Sequence, residues 1–444
     1  MGTYHIFDQV SVQDVSDDAC YLYNFLNDFG IEIRKKYIDR LENREISFRN
    51  LKQEWLDFLI SRKFIYEGSL DQDYYSRQAA SIEQKLNSTA RFTLLPVQYA
   101  CNFSCRYCYE NHELKQRYGM DQIDEILRVI GNRECRWFSV EYFGGEPLLN
   151  VRWIRAFQEK LKDQEGFLPS SMTTNAYLLT GGLFSSLADL KILSYQITLD
   201  GTRESHDWLR PLASGAGTWD TILNNLKEIR RLDRQFRISL RVNFNSSNSS
   251  DEKMEEFFES IKFLENDQRF RLLFRPVGDY SSANGRSSDP DVLAQAGSLQ
   301  EVQQSFESKA LERGYVLADI SMFTSAGGAV CYAAKKNSRV IGADGRLMKC
   351  TLAVDREINS IGSYKDASAD EQKNRLWTFS KDKVREGCKS CVLFFQCLGI
   401  SCPLKAMKPD SYRCLRYRID ESFLVQKIRK CKEILRTARL NSDK

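Results

Sequence analysis

The sequence predicts an α/β protein whose main body is a partial (β/α)6 barrel. Two observations carry that expectation. From Arg91 onward, apolar strand-like stretches alternate with amphipathic helix-like stretches, the pattern of a parallel sheet. Unusual residues also follow strand after strand at its C-terminal end, the edge at which parallel α/β architectures bind ligands.

The strand candidates are RFTLLPVQYA, WFSVEYF, SSMTTN, LSYQITLD, FRISLRVNF and FRLLFRPV. Between them lie MDQIDEILRVIGN, VRWIRAFQEKLKDQ, GLFSSLADLK, TWDTILNNLKEIRRL and DEKMEEFFESIKFLE, each helical in period. The strand ends carry a cysteine loop after the first, GGEP after the second, TTNAY after the third, LDGT after the fourth and NFN after the fifth. Five loops converging on one mouth favour a closed or partial barrel over an open sheet.

Residues 1–90 read differently. A possible strand, YHIFDQVSV, precedes two stretches of helical period, DDACYLYNFLNDFG and SFRNLKQEWLDFLISRKF. Leu51, Trp55, Phe58 and Leu59 share a face of the second, and FIYEG after it suits a wing. A small winged-helix-like module is one reading and a helical cap on the barrel is the other. After a connecting helical segment over 286–326, residues 327–420 are cysteine-dense and loop-rich, a region too weak in periodic apolar residues to hold itself by a core, so metal clusters are its natural staple. Residues 421–444 open as a basic amphipathic helix with Leu424, Ile428, Cys431 and Leu435 on one stripe.

Composition narrows the functions. The 444 residues carry a net charge of +4, too small to imply a nucleic-acid or acidic-membrane partner. No apolar run approaches the ~20 residues that span a bilayer, and the first residues lack a basic start and an apolar stretch, so the expected location is the cytoplasm. There thirteen cysteines against three histidines point to metal or catalytic thiols rather than disulfides.

Cys101, Cys105 and Cys108 form C-x3-C-x2-C, with Tyr107 directly before the last. Three thiolates on one tight loop can hold three irons of a [4Fe–4S] cubane, and the missing fourth leaves an iron open to a ligand. A zinc loop is the competing reading of the spacing alone.

Together with GGEP and LDG on successive strand ends, the loop resembles that of the radical S-adenosylmethionine enzymes. The resemblance implies S-adenosylmethionine chelated at the open iron and reductive release of a 5′-deoxyadenosyl radical that takes hydrogen from substrate, with a reductant such as flavodoxin or ferredoxin. It implies a TIM-like barrel and assigns cofactor contacts to Tyr107, to Gly144, Gly145, Glu146 and Pro147, to Thr198 and Asp200, and to Arg210 in SHDWLRP. Ala176 stands where the family usually has glycine, and Thr198 where it usually has serine.

Seven late cysteines, Cys331, Cys350, Cys388, Cys391, Cys397, Cys402 and Cys414, resemble the SPASM extension, which implies two auxiliary [4Fe–4S] clusters and so three in all. By the family's pairing Cys388, Cys391, Cys397 and Cys414 close the outer cluster. Cys331, Cys350 and Cys402 leave the inner one a corner that substrate, Asp344 or Asp355 could fill. Four residues separate Cys397 from Cys402 where the family has three. Zinc knots are again the alternative. Cys20 and Cys135 read as structural thiols.

Enzymes of this kind mostly act on peptide or protein side chains, and auxiliary clusters offer a place for a second electron, so a net oxidation is expected. The N-terminal module favours a ribosomally made precursor peptide whose leader adds to it as a strand. A sulfatase-type formylglycine-forming maturase is the alternative, and an iron–sulfur sensor binding DNA through the winged helix a distant third, disfavoured by the mixed charge of its helix. No general base is singled out by spacing.

Overall fold

The structure, a computed structural model, describes residues 2–111, 115–281, 289–294, 299–366, 368–380, 384, 387–407, 414 and 419–442. Residues 282–288, in a Ser-, Gly- and Asn-rich stretch (GDYSSANGRSSDP) whose composition reads as a surface loop, lie outside them. The chain forms two compact units. One comprises 1–87, 319–335 and 378–429, the other 88–318, 336–377 and 430–444. No helix among the described residues is long and apolar enough to cross a membrane.

In the first unit, strands β1 (Thr3–Ile6), β2 (Val10–Ser16), β3 (Ala19–Asn24), β4 (Phe29–Arg34), β5 (Ile38–Glu42), β6 (Glu45–Phe48) and β7 (Ile65–Tyr66) surround helix α1 (Gln53–Ser61), and helix α2 (Tyr74–Leu86) follows. They pair as an antiparallel sheet of order β5-β6-β1-β7 and a second of order β2-β3-β4. Ile6, Leu22, Ile46, Leu59 and Phe64 belong to one buried apolar cluster, so the module has its own core.

The stretch expected to be helical, Asp17–Gly30, is instead a β-hairpin. Cys20 and Leu22 enter the core while Tyr21 between them stays partly exposed, and strand alternation with aromatic residues suits a half-buried sheet. Asp28, at φ 53°, makes the turn and accepts from the Tyr23 hydroxyl. Asn24 Nδ2 and Asn27 Nδ2 each donate at 2.7 Å to the carbonyls of Lys63 and Arg62, satisfying groups left open after α1.

The same unit holds most of the late cysteines. Gln396 Nε2 donates to the Phe25 carbonyl at 2.7 Å, and the rings of Tyr75 and Phe395 stack with centroids 5.8 Å apart. Cys331 N–H donates to the Ser401 carbonyl at 2.9 Å.

The second unit is built on an eleven-stranded sheet. Its elements in chain order are β8 (Thr89–Leu94), the short pair β9 (Val97–Gln98) and β10 (Gln116–Arg117), α3 (Gln122–Gly131), β11 (Trp137–Tyr142), α4 (Val151–Leu161), β12 (Ser170–Thr174), α5 (Gly181–Asp189), β13 (Ile192–Thr198), α6 (Arg203–Leu209), α7 (Trp219–Arg230), β14 (Arg237–Phe244), α8 (Asp251–Ile261), β15 (Phe270–Pro276), α9 (Leu299–Glu312) and β16 (Val316–Leu317). Strands β8, β11, β12, β13, β14 and β15, the six the sequence predicts, lie side by side and parallel. Four more strands, β17 (Ser338–Ile341), β18 (Arg346–Met348), β19 (Ser360–Ser363) and β20 (Ser368–Ala369), extend the sheet beyond β8, the first parallel to it and the rest antiparallel.

Helices form where apolar residues recur at helical spacing and a cap is available. In α3 Ile123, Ile126, Val129 and Ile130 are buried. Thr180, Thr202 and Ser250 accept backbone N–H groups at the starts of α5, α6 and α8, satisfying donors the helix cannot. On the sheet face they cover, Phe92, Val140, Met172, Ile197 and Leu240 are fully buried. Every parallel strand thus points its C-terminus at one edge, and the loops that follow carry the unusual residues.

Candidate cofactor site

The cysteine loop follows β9. It is pinned by Ser104 N–H to the Pro211 carbonyl at 2.9 Å, Arg106 N–H to Leu209 at 3.0 Å, and Ala213 N–H to Asn102 at 2.9 Å. The residues after α6 therefore serve as its backing. The thiols of Cys101, Cys105 and Cys108 lie close enough to act electrostatically on one another. Burial, then the Glu146 carboxylate, pushes the Cys101 thiol up to about 12.

GGEP closes over this loop. Gly144 and Gly145 have φ of +83° and +43°, a region open to glycine. A Cβ on Gly145 would stand 2.0 Å from the Ala100 carbonyl oxygen. Glu146 is fully buried and its carboxylate accepts from Thr174 Oγ1 at 2.7 Å, Asn175 N–H at 2.7 Å and Leu148 N–H at 2.9 Å, tying GGEP to the end of β12. Burial raises its pKa and these donors oppose the rise. Pro147 opens the turn of 3-10 helix that follows.

At the ends of β13 and β14 lies a buried polar network. The Tyr107 hydroxyl donates to Asp200 Oδ2 and accepts from Arg210 Nη1 at 2.9 Å and Asn243 Nδ2 at 3.1 Å. Asp200 Oδ1 accepts Asn243 N–H at 2.7 Å. Burial raises the Asp200 pKa and the Arg210 charge pulls it back. His206, fully buried, accepts Asp200 N–H at Nδ1, 2.9 Å away. Its proton therefore sits on Nε2, 3.1 Å from Thr218 Oγ1, which in turn donates to the Arg210 carbonyl at 2.8 Å. Burial, then Arg210, lowers the His206 pKa far enough to keep the ring neutral. Thr198, nearly buried, ends β13 two residues before Asp200.

The structure thus brings Tyr107, Asp200 and Arg210 into one network, and Glu146 and the cysteine loop into another. Asn243 and Glu110 join them, the latter accepting Gly145 N–H at 2.8 Å. The sequence marked NFN and the cysteine loop that Glu110 follows, without giving either side chain a task. Ala176 takes the left-handed conformation, φ 61°, which accounts for glycine being usual there.

Among the late cysteines, Cys391, Cys414 and Cys388 act electrostatically on Cys397, and with burial as the larger cause they push its thiol up to about 12. These four are the set the outer cluster would need. Cys331 is joined through its N–H to Ser401, the neighbour of Cys402. Cys350 belongs to the barrel unit, buried, with its N–H on Asn359 Oδ1 at 2.8 Å. Asp344 is engaged by Arg346 and by Gln98 Nε2, and Asp355 by the Tyr99 hydroxyl at 2.6 Å.

The donor set fits an iron–sulfur cubane with one open corner. The loop offers three thiols and no fourth, and two glycines bring backbone where side chains would intrude. Among the described residues no three His, Cys, Asp or Glu groups converge to hold a single metal ion. A cubane does not ask them to, because each thiolate binds its own iron.

Residues 95–261 match the Radical SAM superfamily model. A cysteine-type anaerobic sulfatase-maturating enzyme of Clostridium perfringens (strain 13 / Type A) is 23% identical over 353 residues, 73% of this chain and 93% of that one. One from Clostridium novyi (strain NT) is 27% identical over 44% of this chain, a match that spans 54% of its own length. Among solved structures, anSMEcpe with bound AdoMet and Cp18Cys peptide shares the fold over 80% of this chain and 100% of its own, at 16% identity and a TM-score of 0.55. Streptococcus suis SuiB bound to precursor peptide SuiA does so over 93% of this chain and 99% of its own, at 16% identity and a TM-score of 0.52. With the cysteine loop, GGEP and the Asp200 network in their places on the strand ends, the chain carries a radical S-adenosylmethionine domain over residues 95–261.

Proposed function

We propose that the protein modifies a side chain of a ribosomally made precursor peptide, with Cys101, Cys105 and Cys108 holding a [4Fe–4S] cluster and seven late cysteines holding two auxiliary ones. When bound, the first cluster and S-adenosylmethionine supply a 5′-deoxyadenosyl radical able to take hydrogen from substrate. The chain's own residues position that chemistry. Gly144 and Gly145 would let backbone approach the ligand, Tyr107 would border it, and Thr198, Asp200 and Arg210 would offer it hydroxyl, carboxylate and guanidinium. The auxiliary clusters would take the second electron that the peptide loses in becoming an oxidised product, crosslinked or otherwise, and a flavodoxin or ferredoxin would supply the electron that the first cluster spends on S-adenosylmethionine.

The division of labour follows: a leader-binding module over 1–90, the radical domain over 91–285, a connecting segment over 286–326, the auxiliary-cluster region over 327–420 and a terminal helix over 421–444. One observation supports the peptide reading above the others. The fold likeness to SuiB, bound there to a precursor peptide, extends over 93% of this chain, against 80% for anSMEcpe. The names of the sequence relatives support the second reading, formylglycine formation on a protein Ser or Cys.

Co-expression with the small peptides encoded beside its gene, under iron–sulfur loading, tests the proposal by intact mass. The expected result is a peptide lighter by two hydrogens per event, with no change when Cys105 is replaced by alanine. Unchanged peptide masses alongside modification of a co-expressed sulfatase would move the substrate to the second reading.

A further inference from the structure

The face of the barrel sheet turned away from the helices is not apolar. Two rows of side chains cross it in register. One runs Glu141, Ser171, Ser194, Arg237 and the next Thr173, Gln196, Ser239, Arg271. A hollow of about 160 Å³ is lined by the first row from Glu141 to Arg237 and by the second from Thr173 to Ser239, with Arg271 next along that row but outside the lining. A sheet buried on both sides would carry apolar residues on both, so this face is built to meet water or a polar occupant.

Its charge is one-sided. By strand parity Arg91, Arg237, Arg241, Arg271 and Arg275 share this face with the single carboxylate Glu141, and Arg91 occupies that carboxylate. Arg241 Nε donates to Asn243 Oδ1 at 2.7 Å. Arg237 and Arg271 have no hydrogen-bonded or ion-paired partner among the described residues, and the Arg271 Nε atom is buried without one. Burial, then the neighbouring Arg237, lowers the Arg271 pKa, the Cys431 thiol being the other titratable group close to it. Arg271, half-buried, and the exposed Arg237 beside it are like charges kept close, an arrangement that an anion between them would relieve.

The location excludes the cofactor as that anion. Arg237 begins β14, and Asn243, which holds the Tyr107–Asp200 network, lies six residues further along the strand, about 20 Å away. Arg237 therefore marks the side of the hollow far from the cysteine loop, while Glu141, Thr173 and Gln196 line its side nearer the strand ends.

We infer that this face receives an acidic stretch of the peptide substrate, with Arg237 and Arg271 taking its carboxylates. The choice of a peptide as occupant rests on the function proposed above, whereas the choice of an anion rests on the arginines. Guanidinium–carboxylate bonds are charge-assisted and directional, so the face selects for Asp or Glu several residues away from the modified one and against their amides.

Binding of labelled synthetic peptides to the full chain tests this without turnover. The probes are a Glu-Ser repeat, a Gln-Ser repeat and a Lys-Ser repeat, all amidated at the C-terminus so that only side chains differ. The Glu-Ser peptide is expected to bind at least about tenfold more tightly than the Gln-Ser peptide. The R237Q/R271Q variant should lose that preference, while R152Q, on the outer helix α4, keeps it. The single variant R237E, at an exposed position, should turn the preference toward Lys-Ser even where the double variant folds poorly by circular dichroism. Equal binding of the Glu-Ser and Gln-Ser peptides, or a preference that survives R237Q/R271Q and R237E, would overturn the inference. A preference that holds while precursor maturation fails leaves the acidic-peptide face standing and removes only the reaction assigned to it.

Discussion

Replacing Gly145 by alanine should cut 5′-deoxyadenosine formation by about a hundredfold or more, since even ~1 Å of misplacement at a reacting centre costs that much. The added Cβ would stand 2.0 Å from the Ala100 carbonyl oxygen, on a backbone at φ +43°. The obstacle is main chain and cannot rotate away. Ala100 directly precedes Cys101, and its carbonyl also accepts Glu146 N–H at 3.0 Å, so any relief moves the cysteine loop and GGEP apart. Gly131→Ala is the control: a Cβ there meets nothing within 4 Å and a helical alanine is preferred to glycine. Rate assays of loaded, reduced protein with S-adenosylmethionine check both, and a wild-type rate for Gly145→Ala would contradict the assigned approach of backbone to ligand.

Arg210→Gln should be the most destabilising single change in the polar network, by about 3–5 kcal/mol, the usual penalty for leaving a buried charge without its partner. Arg210 is 7% exposed and Asp200 fully buried. Burial alone would weaken the guanidinium's charge, but Tyr107, Cys105 and Asp200 hold its pKa above the usual arginine value. Removing that charge leaves Asp200 to Tyr107 and the Asn243 N–H alone. Asp200→Asn in the Arg210→Gln background should therefore recover part of the loss, with a coupling of about 0.5–3 kcal/mol. Denaturant unfolding of the two single variants and the double variant measures it. Additive losses would show that the two residues do not act as a pair.

The six barrel strands and the loops at their ends were legible because two periods, two residues and 3.6, alternate cleanly from Arg91 to Val277. The hairpin at Asp17–Gly30 was not. Its buried positions, Ala19, Cys20, Leu22, Tyr23 and Phe25, are too closely spaced to separate the two periods, and cross-strand pairing with β2 and β4 decides between them. Strands β17 to β20 escaped notice because each has only two to four residues and depends on its pairing, β17 with β8 and each of the others with the strand before it. In the site, cysteines and glycines announced themselves by type and spacing. Asn243 and Glu110 did not, since an amide or carboxylate acquires its task from what the fold sets opposite it. The arginines of this sheet face were equally silent: β14 and β15 carry two each, four residues apart, and only the register sets those of one strand beside those of the next.

The central claim is that three thiols on one loop hold a cluster whose open corner serves S-adenosylmethionine. The most direct test is 5′-deoxyadenosine release by reduced, iron- and sulfide-loaded protein, compared with a variant carrying alanine at Cys101, Cys105 and Cys108 and all late cysteines intact. The account predicts release from the native chain, none above background from the variant, and a variant that still binds iron through the late cysteines. Release from the variant at the native rate would contradict it.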